Sequence, residues 1–126
     1  MKSLMVLRHA EAAPEGPNLP DPRRPLTARG RGQAQALGRW LATRRMVPDR
    51  ILSSSAVRAR ETIEVVSAAA DWQVAVCEVA DLYTATTEFL LAEVNRQADK
   101  VQCLLVVAHA PEIGRASCRE RVYSSV

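Results

Sequence analysis

A chain of 126 residues, 48% apolar and 25% charged, has the size and make-up of one folded domain, which excludes both a disordered chain and a two-domain assembly. No apolar run approaches the 18 or more residues of a membrane helix, and no long apolar leader opens the chain, so no membrane partner and a cytoplasmic location are expected. The net charge of +3 comes from scattered arginines, with few aromatics and no nucleic-acid motif; this favours a local phosphate site over a nucleic-acid partner.

The first predicted element is an apolar strand, Leu4 to Leu7, that delivers Arg8 and His9 side by side before the small Ala10. Residues 12–25 hold Pro14, Gly16, Pro20, Pro22 and Pro25, too many breakers for a helix or central strand, so a long loop is expected. Its Arg23 and Arg24 read as solvated loop charge. Thr27 can cap a helix from about 28 to 45 whose apolar face holds Ala34, Leu37, Trp40 and Leu41, while Gly38 permits close packing on a sheet. Pro48 closes that element before a short strand, 50–53. Ser54 and Ser55 are candidate caps of a second helix through about Ala70, with Arg58 and Thr62 one turn apart near its start.

A third strand, 73–78, a helix over about 87–97 and a nearly continuous apolar strand, 101–108, follow. A strand apolar on both faces belongs in a parallel sheet covered by helices. The alternation of strand and helix predicts an α/β fold in three layers, a mainly parallel sheet with helices on both faces. Its first and last strands should be central and nearly adjacent, so that His9 and His109 meet at one crevice. Three cysteines with no CxxC spacing make neither a disulfide framework nor a zinc site; Cys77 and Cys103 read as small buried residues.

From Glu112 the apolar pattern stops. The segment back-translates into a string that resembles a common sequencing adapter read in frame, so residues 112–126 are expected to be foreign to the native protein and 1–111 to be the N-terminal part of one domain. Three arginines and two glutamates go with that tail, lowering the net charge from +3 to +2. Such a truncation predicts an open sheet edge or an uncovered apolar face near the last strand.

Two imidazoles and two guanidiniums at strand ends and a helix start suit phosphoryl transfer without a metal ligand set or cofactor. Guanidinium pairs bidentately with phosphate oxygens, and an unprotonated His9 nitrogen can attack phosphorus in line with the leaving group. Arg8 and Arg58 would hold the equatorial oxygens, His109 would donate to them, and a backbone carbonyl should fix the His9 tautomer.

The order Arg8-His9-Ala10-Glu11-Ala12, Arg24-Pro25-Leu26-Thr27 with Gly30, Ser54 through Thr62, and Ala108-His109-Ala110-Pro111 resembles the histidine phosphatase superfamily, and within it the small bacterial phosphohistidine phosphatases of the signal-inhibitory type. The resemblance implies a phosphoglycerate-mutase-like fold, His9 as the phospho-accepting residue, Arg8 and Arg58 as phosphate clamps, and His109 as the second pocket histidine. The substrate it implies is phosphohistidine in a protein, with a small phosphomonoester or a non-catalytic phosphoprotein-binding role as alternatives. Relatives usually have glycine where this chain has Ala10, which requires that Ala10 avoid left-handed backbone angles. Larger relatives carry an acid after the third strand, which makes Glu78 and Asp81 the candidate proton donors, while Glu11 is a candidate to orient His9 or the loop.

Overall fold

The computed structural model describes residues 3–83, 92, 93, 95, 96, 101–108 and 121–124. Its strands are β1 (Ser3–Arg8), β2 (Arg50–Ser54), β3 (Val76–Val79), β4 (Cys103–Ala108) and β5 (Arg121–Ser124), with helices α1 (Ala28–Thr43) and α2 (Val57–Ala70). Short 3-10 turns cover Asp21–Arg23 and Ala80–Tyr83.

The strands form one sheet in the order β3-β2-β4-β1-β5. All pairings are parallel except that of β5, which lies antiparallel along β1. The two most apolar strands are adjacent, as expected, with Arg8 opposite Ala108. β4 is therefore paired on both edges, by β1 and β2, and the open edge expected beside it is absent.

Alternation along the strands sends side chains to opposite faces. Met5, Leu7, Ile51, Leu105 and Val107 meet Ala34 and Leu41 of α1 and Ala59, Ile63 and Val66 of α2. Val6, Leu52, Leu104 and Val106 form the second layer with Leu82. Both helices thus pack on one face. Of the helix expected over 87–97, residues 92, 93, 95 and 96 are helical and the remainder lies outside the described residues. The close packing foreseen for Gly38 is with α2 rather than the sheet: a Cβ there would stand 2.6 Å from both the Val66 carbonyl oxygen and the Ala69 Cβ.

Several local expectations change once the layers are in place. The third strand runs 76–79 rather than 73–78, on a sheet edge, which leaves Cys77 exposed, and Cys103, at the start of β4, is half-buried rather than buried. Trp40 is 47% exposed. It lies beyond the buried stripe of α1, and the Arg44 guanidinium stacks over its ring at 5.1 Å. Neither serine caps α2: Ala56 holds the N-cap position, and the Ser54 hydroxyl accepts from the Ala56 N–H at 3.2 Å.

Both helices end in a reversed, left-handed residue that is not glycine, Arg45 with φ 55° and Asp71 with φ 58°. After α1 the Met46 N–H reaches the Leu41 carbonyl at 3.1 Å and the Arg45 N–H that of Ala42 at 3.0 Å. This is the position where glycine is favoured. Arg45→Gly is expected to stabilise the fold by about 0.5 kcal/mol and raise Tm by about 2–4 °C, measured by calorimetry.

Candidate active site

β1 and β4 end side by side, and the chain leaving β1 stays tied there, the His9 N–H donating to the Ala108 carbonyl at 3.4 Å. His9 Nδ1 lies 2.8 Å from the Ala10 carbonyl oxygen, an acceptor only, so Nδ1 carries the proton and Nε2 the lone pair. The carbonyl foreseen as fixing this tautomer is therefore that of Ala10. Nε2 in turn accepts from Arg58 Nε at 3.2 Å. Ala10 takes no left-handed angle, since Arg45 and Asp71 are the non-glycine residues with positive φ among those described.

Arg58 lies in the first turn of α2 and is only 5% exposed. Thr62, one turn on, donates from its hydroxyl to the Arg58 carbonyl at 2.6 Å and accepts from the Ala10 N–H at 3.0 Å. One hydroxyl thus joins the loop after β1 to the helix that carries Arg58. Arg8 sits exposed at the end of β1.

The loop of residues 12–25 closes on a narrow neck. Ala12 and Leu26 form an antiparallel bridge, the Ala13 N–H donates to Pro25 at 2.8 Å, and the Thr27 N–H donates to Glu11 at 3.0 Å. Glu61 of α2 ties the neck down, accepting from the Leu26 N–H at 2.8 Å with one oxygen and from Arg31 at 2.8 Å with the other. The Thr27 hydroxyl caps α1 by accepting from the Gly30 N–H at 2.9 Å, as expected of that residue.

Inside the loop lies a residue that the linear pattern did not single out. Asp21 receives both terminal nitrogens of Arg58, NH1 on its backbone oxygen at 2.8 Å and NH2 on carboxylate Oδ2 at 3.1 Å. Arg24 donates to the other oxygen, Oδ1, from Nε and NH2, each at 2.9 Å, and to the Ala13 carbonyl at 3.0 Å. Arg24 is therefore not solvated loop charge, whereas Arg23 is exposed. The available signal was the pair Asp21-Pro22, which favours a turn start.

Burial pushes the His9 pKa below its usual 6.5. The Ala10 hydrogen bond opposes this, and the nearby charges of Arg58, Arg8 and Arg24 reinforce it. The neutral, nucleophilic form is favoured. Because the unfolded chain takes up this proton near 6.5 and the folded one only at lower pH, folding stability falls as pH drops from about 6.5 through the folded value.

The remaining candidates are less central. Glu11 accepts from the Thr27 hydroxyl at 2.9 Å and approaches Arg29 at 3.8 Å, so its carboxylate braces the loop against α1. Glu78 lies on edge strand β3 and pairs with Arg60 at 3.7 Å. Two strands, β2 and β4, separate it from β1, a span of roughly 14 Å at the usual strand spacing. Asp81 falls in the second 3-10 turn, its side chain not among those described, and His109 lies outside the described residues. Among the described residues no group of three or more His, Cys, Asp or Glu could hold a metal, and no helix is long and apolar enough to cross a membrane.

Residues 4–82 match the sequence profile of the histidine phosphatase superfamily (branch 1). An uncharacterized protein of Mycobacterium tuberculosis is 38% identical over 106 residues, which are 83% of this chain and 63% of that protein, so the chain spans less than two thirds of this relative. A candidate phosphohistidine phosphatase SixA from Agrobacterium tumefaciens has the same fold with a TM-score of 0.82 at 32% identity, covering 88% of this chain and 71% of that one. A second candidate SixA, from Nakamurella multipartitia, gives a TM-score of 0.79 at 32% identity, covering 90% of this chain and 62% of its own.

Proposed function

Because the chain belongs to the histidine phosphatase superfamily (branch 1), we propose that it is a phosphatase that takes a phosphoryl group onto His9 and passes it to water, acting on phosphohistidine in proteins. The observation that carries this reading is the state of His9: its Nδ1–H is held by the Ala10 carbonyl, and its Nε2 lone pair faces the Arg58 guanidinium. A nitrogen so prepared attacks phosphorus while Arg58 and the exposed Arg8 take the charge on the equatorial oxygens. The new P–N bond forms as the bond to the leaving nitrogen breaks, and that nitrogen departs carrying a proton. Water then attacks the phosphohistidine, releasing inorganic phosphate and restoring neutral His9. His109 is assigned as a further donor to the oxygens.

The likeness to the Agrobacterium candidate phosphohistidine phosphatase supports a phosphoramidate substrate. A nitrogen leaving group arrives already able to hold a proton, which removes the need for a carboxylic acid at the position of Glu78 or Asp81. The test is rapid quenching with a histidine-phosphorylated protein domain carrying labelled phosphate, alongside p-nitrophenyl phosphate. Acid-labile, base-stable label on His9 and a higher kcat/KM for the phosphorylated domain are expected. A higher kcat/KM for the ester would point to a small phosphomonoester instead, and phosphate binding without label or release would point to a binding module.

The lowered His9 pKa has a kinetic consequence. Protonation of the free nucleophile sets the acid limb of kcat/KM, so that limb should fall below pH 6.5. Measuring kcat/KM between pH 4.5 and 8 checks it, those limits bracketing an ordinary histidine by about two units. A limb at or above 6.5 would contradict the burial argument.

The same reading takes residues 112–126 as foreign to the native protein. Resequencing past the codon for Pro111 with adapter-free primers tests it: a frame that continues with new sequence supports the reading, and one that ends after Val126 overturns it.

A further inference from the structure

Arg58 is almost fully buried, so its orientation is set by what it touches. Its guanidinium is divided between two tasks. The Nε–H points at His9 Nε2, whereas the terminal NH1 and NH2 edge goes to the backbone oxygen and carboxylate of Asp21. Asp21 is itself gripped, its second carboxylate oxygen receiving Nε and NH2 of Arg24, whose NH1 is tied to the Ala13 carbonyl at the neck of the loop.

We infer that Asp21 is a positioning residue for the reaction, holding Arg58 by its far edge so that the near edge stays aimed at His9 Nε2 and at a phosphoryl group bound there. This rests on the assignment of His9 and Arg58 as the reacting pair. The long loop thereby gains a purpose: its pinned neck and the Arg24 brace deliver one carboxylate to the back of a buried arginine. A buried guanidinium with its terminal edge unmatched would be costly, and would turn toward other acceptors.

Electrostatics add a second consequence. Among the described residues, the charges that act on His9 include Arg8 at the end of β1, Arg58 on α2 and Arg24 in the loop, and the Asp21 carboxylate pairs with the last two. Asp21 thus offsets part of the positive field at the imidazole. Its neutralisation should make His9 harder to protonate.

The experiment compares wild type, Asp21→Asn and Asp21→Ala as full chains. It measures kcat and KM on the phosphorylated domain, Tm by calorimetry, and the His9 imidazole pKa by NMR titration. Asp21→Asn, nearly isosteric and still able to accept from Arg58, reports chiefly the charge; Asp21→Ala removes the side-chain hold. Expected are a kcat about tenfold lower for Asp21→Asn and about a hundredfold lower for Asp21→Ala, with KM changed by less than about threefold. The His9 pKa should be lower than wild type in both. Wild-type kcat and pKa in the two variants would overturn the inference. So would kcat losses that merely follow the folded fraction while the His9 pKa stays put, since that is what a loop brace alone would do. Should the wild-type chain form no phosphoenzyme and show no turnover, the proposed function fails on its own account. The imidazole titration then decides the role of Asp21 by itself, a lowered pKa in Asp21→Asn supporting it and an unchanged one overturning it.

Discussion

Replacing His9 with alanine is expected to reduce turnover by at least about a thousandfold while leaving the fold and phosphate binding in place. The size of the effect follows from the geometry. His9 presents the one imidazole nitrogen that Arg58 approaches, at 3.2 Å, with its tautomer held by the Ala10 carbonyl at 2.8 Å. Without that nitrogen there is no covalent step, and the remaining arginines can only bind the anion. Folding should suffer little, because the hydrogen bonds that anchor this segment come from backbone: the His9 N–H to Ala108 and the Ala10 N–H to Thr62. The measurement is phosphate release under saturating substrate, with inorganic phosphate binding followed by calorimetry on both proteins. Turnover within tenfold of wild type would sink His9 as the nucleophile. Lost turnover together with retained phosphate affinity is the signature of the covalent route.

Much of this site could be read from the linear pattern, for physical reasons. β1 and β4 are the strands with the least polar runs, and such strands need cover on both faces, which places them inside the sheet and close together. Arg8 and His9 then had to emerge at a carboxyl edge, and Arg58 at the start of a helix was the natural second cation. What escaped depends on contacts that spacing does not encode. Asp21 reaches Arg58 across 37 positions only because the neck between residues 12 and 26 closes, and a proline-rich stretch reads simply as a loop until that closure is seen. Arg24 reads as a solvated charge for the same reason, and the closed loop ties it to Asp21 and Ala13 instead. Cys77 and Trp40 failed differently. Their apolar character suggested burial, but one lies on an edge strand and the other beyond the buried stripe of α1, and both stay exposed.

Gly30→Ala is expected to be the most damaging small substitution outside the reacting groups. Gly30 lies in the first turn of α1, and a Cβ built there falls inside the van der Waals shell of the Glu11 backbone carbonyl. Backbone, unlike a flexible side-chain end, has little room to give. That same carbonyl accepts from the Thr27 N–H at 3.0 Å and helps close the neck of the loop. Alanine gains about 1 kcal/mol of intrinsic helix propensity over glycine, but overpacking of this kind costs about 1–3 kcal/mol or more, and a clash with fixed backbone belongs at the upper end. A net loss near 2 kcal/mol corresponds to a Tm lower by about 8–16 °C. Because Glu11 lies two residues after His9 and its carbonyl helps close the neck of the loop that holds Asp21, any relief by moving the backbone shifts His9 and Asp21 against Arg58. Turnover should therefore fall beyond what stability explains, by about a hundredfold for a displacement near 1 Å. Gly32→Ala is the matched control, since a Cβ there meets nothing within 4 Å and the propensity gain acts alone, raising Tm by a few degrees. Calorimetry and steady-state rates on the two variants check the contrast. Equal melting temperatures would mean that α1 does not press on Glu11, and that the neck holding Asp21 against Arg58 is looser than these contacts describe.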